Sequence, residues 1–123
     1  MKHLLSIIFF SCLSLAVLAQ VRPKPLKADI KTPQATCADC KTRIEGFVAK
    51  SIDGLVKISV QTTRGVTSVQ YYPDRTNIEE IKTAITNAGF DADDLAANPD
   101  TYQRLPDCCK KPADQKVPPK PKS

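Results

Sequence analysis

Cys37-Ala38-Asp39-Cys40 places two thiols two residues apart, a spacing that serves two kinds of chemistry. As thiolates, the pair can grip one thiophilic metal ion; as a dithiol, it can cycle to a disulfide and back. Two more cysteines, Cys108 and Cys109, stand side by side near the C-terminus, and Cys12 lies in an apolar run near the N-terminus. The choice between metal and redox chemistry turns on which other ligating groups the chain has and on the elements that hold the thiols.

Few other ligands are on offer. The one His and the one Met are His3 and Met1, and there is no Trp. Lys2 and His3 form a short basic start, Leu4 to Leu18 is almost wholly apolar, and Val17-Leu18-Ala19 fits the small-x-small rule for signal peptidase. The apolar run falls short of the roughly 20 residues that span a bilayer. Residues 1–19 are therefore expected to be a cleaved signal peptide, which sends the protein to the periplasm or outside the cell. Cys12, behind Phe9-Phe10-Ser11, is poorly set for lipid attachment. Cleavage leaves a chain with no His and no Met. That excludes Ser-His and Cys-His nucleophiles and His-ligated zinc. A metal site would have to be built from thiolate, carboxylate or backbone oxygen.

The net charge of +5 resides in the ends of the chain. Residues 20–27 carry Arg22, Lys24 and Lys27 with Pro23 and Pro25, and read as a linker. Residues 110–123 carry five lysines and four prolines and read as a disordered tail. With no aromatic residues interleaved, these arms are expected to be solvated rather than to bind nucleic acid.

Residues 28–109 remain for one small domain. Ala28, Ile30 and Thr32 alternate before Pro33, which predicts a first strand ending at the Cys loop. From Cys40 the period becomes helical, with Ile44, Phe47, Val48, Ser51 and Ile52 on one face and Gly54 as the stop. Leu55, Val56, Ile58 and Val60 predict a second strand, and Val66, Val69 and Tyr71 a third, with Thr63-Arg64-Gly65 as the turn of a hairpin. Asn77 is placed to cap a second helix carrying Ile78, Ile81, Ala84, Ile85 and Ala88, closed by Gly89. This order predicts an α+β, ferredoxin-like βαββαβ sandwich of two helices on an antiparallel sheet. Its fourth strand, Phe90 to Leu95, is weak because it is acidic. Asp91, Asp93 and Asp94 lack the Gly turn and closing Glu of a calcium loop, so a solvated acidic surface is expected. Asn98-Pro99 predicts a short helical extension through Tyr102 to Leu105.

Gln34-Ala35-Thr36-Cys37-Ala38-Asp39-Cys40 at the end of a first strand resembles the heavy-metal-associated domain, the family of copper chaperones, modules of metal-pumping ATPases and periplasmic mercury-binding proteins. The likeness continues through Ile52-Asp53-Gly54-Leu55, the Val66 to Pro73 strand and Ile78 to Phe90. It implies that Cys37 and Cys40 are metal ligands and that Phe90 is the aromatic covering the site. Gln34-Ala35 stands where the family usually has Gly-Met, whose Met packs beneath the loop, so weaker core support is expected there.

Two thiolates at a helix start, with neutral Thr36 before them, suit soft ions of low coordination number. The expected order is Cu(I), then Hg(II), then Zn(II) or Cd(II). Cys108 and Cys109 could add ligands to this site, or form disulfides, or bridge a dimer; a bridge between adjacent cysteines would close a strained ring. The function that follows is non-enzymatic: capture, buffering or transfer of a soft ion, as a monomer or metal-bridged dimer. Its partner would be a metal-transporting membrane protein or another metal-binding domain. The competing functions are a thiol-disulfide oxidoreductase, which lacks the Trp and cis-Pro setting of thioredoxin-like sites, and a structural domain with all four cysteines in disulfides.

Overall fold

The structure, a computed structural model, describes residues 21–115. The expected signal peptide and the end of the basic tail lie outside these residues. Three strands, β1 (Leu26–Lys31), β2 (Leu55–Gln61) and β3 (Val66–Tyr71), form an antiparallel sheet in the order β1-β3-β2. Helices α1 (Ala38–Ser51) and α2 (Ile78–Asn87) complete the ferredoxin-like α+β arrangement. β1 begins inside the segment expected to be linker, where Leu26 and Lys27 pair with Tyr71 and Gln70.

Alternation puts Ile30, Val60 and Val69 into the core, against Ile44 and Val48 of α1 and Ile81 and Ile85 of α2. The β2 pattern changes phase because a β-bulge lies between Leu55 and Lys57. One extra residue inverts the parity, so Leu55 packs against the core while Val56 is 44% exposed. Phe47, expected on the inner face of α1, is 40% exposed. The true buried stripe is Cys40, Ile44 and Val48, one residue per turn. Asn77 caps α2 by accepting the Glu80 N–H at 3.0 Å.

The fourth strand does not form among the described residues. Ala92 and Leu95 make only an isolated bridge around Asp93, which adopts a left-handed φ of 51°. The aspartates divert the chain because their carboxylates bond backbone groups and favour turns over a ladder. The Lys31 N–H donates to Asp93 Oδ1 at 2.7 Å, and the Asp93 N–H donates to Lys31 O at 2.9 Å, a two-bond clasp on the free edge of β1. Asp93 also lies 3.5 Å from Lys82 of α2. Burial lowers the Lys82 pKa, but bonds and charge from Glu79 and Asp93 outweigh it and leave the pKa raised. Only part of the acidic segment is therefore solvated surface.

The extension continues further than expected. Asn98 caps α3 (Pro99–Gln103), accepting the Asp100 N–H at 3.0 Å. Leu105 is buried against Gly89, where any Cβ would come within 3.1 Å of the Leu105 side chain. Two 3-10 turns follow, Asp107–Cys109 and Pro112–Asp114. The second falls in the segment expected to be disordered. Tyr102 holds it there, donating its hydroxyl to Asp114 at 2.6 Å and accepting the Lys111 N–H at 2.9 Å.

Candidate metal centre

The loop from Thr32 to Cys37 is built to deliver two sulfurs to one end of α1. The Thr32 N–H donates to Gly65 O at 2.8 Å, and the hydroxyls of Thr32 and Thr67 meet at 2.9 Å, which fixes the end of β1 to the hairpin. A short turn then bonds Ala35 N to Thr32 O. Cys37 is the N-cap of α1, extended at φ −130° and ψ 167°, and its side chain makes no capping bond. Its sulfur is thereby free for other partners. Cys40 sits in the first turn, fully buried, with its sulfur 3.6 Å from Gln34 O. Both lie at the N-terminal, positive end of the α1 dipole.

Ala35 is fully buried at the position where the family's larger Met was missed. Support comes instead from Gln34, whose Oε1 accepts the Asp91 N–H at 2.7 Å and so ties the loop to the chain after Phe90. This polar brace is invisible in a hydrophobicity pattern, and it leaves Gln34 Nε2 buried without a partner. Phe90 is a fully buried member of the core cluster that also contains Cys40 and Cys109.

The 3-10 turn Asp107–Cys109 brings Cys108 and Cys109 to the same place. Thr36 Oγ1 donates to Cys108 O at 3.3 Å, and the Cys109 N–H donates to Pro106 O at 2.9 Å. The four sulfurs all lie within 4.8 Å of one another. They are paired Cys37 with Cys108 and Cys40 with Cys109, with Cα separations of 6.3 and 5.5 Å. Other approaches are also close: Cys37 Sγ is 2.8 Å from Cys40 Sγ and 3.5 Å from Cys109 Sγ. Cys40 and Cys109 are buried, whereas Cys37 and Cys108 are half-buried.

The donor set suits a soft metal ion. A tetrahedral ion with metal–sulfur bonds of about 2.3 Å needs sulfurs about 3.8 Å apart, so the two bridged pairs, all within 4.8 Å, would have to open before four thiolates could surround one ion. No His is available among the described residues, so thiolate softness alone would select the ion.

A helix start that carries Cys37 and Cys40, joined to an antiparallel sheet by a short loop, defines an α+β module with a cysteine-bearing loop. The chain belongs to the heavy-metal-associated domain family, whose model matches residues 29–91. A copper-exporting P-type ATPase of Staphylococcus aureus (strain Newman) is 36% identical over 69 residues, covering 56% of this chain and 8% of the ATPase. The human copper-transporting ATPase 2 is 39% identical over 57 residues, covering 46% of this chain and 4% of that protein. The chain thus corresponds to a small fraction of these curated relatives. Among solved structures, the CopZ metallochaperone superposes with a TM-score of 0.51 at 27% identity, covering 55% of this chain and 98% of CopZ. Oxidised MerP from Ralstonia metallidurans shares the fold, with a TM-score of 0.52 at 19% identity over 55% of this chain and 93% of MerP. The matched residues end at Asp91, so Cys108 and Cys109 lie outside the family pattern.

Proposed function

We propose that this protein captures, buffers or transfers a soft thiophilic ion as cargo, without catalysis, through the thiolates of Cys37 and Cys40. The observation that carries this reading is the gathering of Cys37 and Cys40 with two further sulfurs within 4.8 Å, in a chain of the heavy-metal-associated family. Cu(I) leads the order, supported by the copper-exporting ATPase and CopZ among the relatives; Hg(II) follows, then Zn(II) and Cd(II). Transfer would proceed by ligand exchange, an incoming thiolate binding the ion before an outgoing one leaves. Its recipient would be a metal-transporting membrane protein or another domain of this kind. The apolar run from Leu4 to Leu18 supports export, which would place this exchange in the cell envelope.

The sulfur pairing favours a second reading, a domain whose four cysteines serve only as structural bridges. Metal titration of the fully reduced protein separates the two. Tight binding that is lost in Cys37→Ser and Cys40→Ser supports the cargo reading, and absence of binding supports the structural one.

A further inference from the structure

The Cys108-Cys109 turn gives the metal site a second state. Each bridge consumes one of the two family ligands, Cys37 through Cys108 and Cys40 through Cys109, so the bridged protein has no thiolate to offer an ion. The bridges also differ in access: Cys37–Cys108 is half-buried and Cys40–Cys109 is buried. We propose that Cys37–Cys108 is the entry point for a dithiol reductant, and that Cys37 then relays reduction to the buried bridge, opening the site for metal. This rests on the cargo reading and adds its regulation and a partner class.

The relay balances in thiols. One thiolate of the reductant attacks Cys108 Sγ, the Cys37–Cys108 bond breaks, and Cys37 leaves as thiolate. The reductant's second thiolate resolves the mixed disulfide, so the reductant departs as its own disulfide and Cys108 as a thiol. Cys37 Sγ, released from its bridge and 2.8 Å from Cys40 Sγ, rotates into line with the Cys40–Cys109 bond, attacks Cys40 and expels Cys109 as thiolate. The new Cys37–Cys40 bridge includes the half-buried sulfur and is reduced by a second dithiol in the same way. Two dithiols are oxidised, and four protein thiols result once the thiolates take up protons.

The turn stays docked without its bridges. Thr36 holds Cys108 O, Lys111 pairs with Asp91 at 3.3 Å, Tyr102 clasps Asp114 and Leu105 is buried beside Gly89. The four freed sulfurs therefore remain together.

The test uses the oxidised protein and dithiothreitol as the dithiol, with acid quenching, alkylation of free thiols and mass mapping, and Cd(II) as the metal probe. At limiting reductant, Cys108 and Cys109 should be alkylated while Cys37 and Cys40 remain bridged, and thiolate–Cd(II) absorbance should grow only as thiols appear. In a Cys37→Ser/Cys108→Ser variant with an unchanged circular dichroism spectrum, reduction of Cys40–Cys109 should slow about tenfold or more. Equal Cd(II) uptake before and after reduction, a different trapped intermediate, or undiminished reduction of the variant's buried bridge would overturn the relay while leaving the cargo reading intact. Fully reduced protein that takes up neither Cd(II) nor Cu(I) would overturn both.

Discussion

At the scale of single residues, the Cys37/Cys40 pair stands out because its spacing, and the lack of His and Met beyond Met1 and His3, narrow the chemistry before any fold is known. The pairing of Cys108 and Cys109 with it does not. Nothing in a local pattern reports a contact across about 70 residues, since that contact depends on how α3 and its following turn pack. The role of Gln34 was missed for a related reason. The sequence predicts weaker core support where Ala35 replaces the family's Met, and it does not foresee that the neighbouring Gln34 braces the loop through the Asp91 N–H. Gln34→Leu should leave that half-buried N–H without its partner and cost at most about 1–3 kcal/mol, less whatever the orphaned Nε2 now costs. Urea unfolding of the variant measures this, and unchanged stability would show that the brace is dispensable.

At the scale of elements, all three strands of the sheet, both main helices and the Asn98-capped α3 follow from periodicity and caps. The failures lie where side chains compete with the backbone. Asp93 clasps Lys31 instead of extending a strand, and the β2 bulge inverts a phase that simple alternation cannot represent. The extension is anchored by Leu105, whose truncation to Ala should cost roughly 2–5 kcal/mol if the cavity beside Gly89 stays open. The same variant should loosen the Cys108-Cys109 turn, seen as faster amide exchange at Cys109.

Tyr102 makes the second 3-10 turn sensitive to alkali. Burial raises its pKa, and its bond to Asp114 raises it further, while the Lys111 N–H opposes both. A folded pKa above the unfolded value means the contribution is complete below about pH 10 and is lost as pH climbs through the raised value. Tyr102→Phe should therefore lower stability at neutral pH and flatten its decline above pH 10. Parallel pH profiles of the two proteins would refute this role.

At the scale of the whole molecule, a family module whose match ends at Asp91 carries an added segment that returns to its cysteine loop. The two cysteines of the family motif are joined by two from outside it, and on the proposed function the same four sulfurs either bond one another or hold an ion. Redox state and metal loading are then competing occupants of one place, so chelation of the metal should speed air oxidation and metal loading should protect all four thiols from alkylation. Protection of Cys37 and Cys40 alone would confine the ion to the family pair. No helix among the described residues is long and apolar enough to cross a membrane.

An anaerobic Cu(I) titration of the reduced protein against a competing chelator asks whether Cys37 and Cys40 hold a soft metal ion. The protein should withdraw Cu(I) from the chelator, and Cys37→Ser and Cys40→Ser, each still folded, should lose that ability by about a hundredfold or more. Failure of the reduced protein to compete, or equal competition by the two variants, would contradict that role.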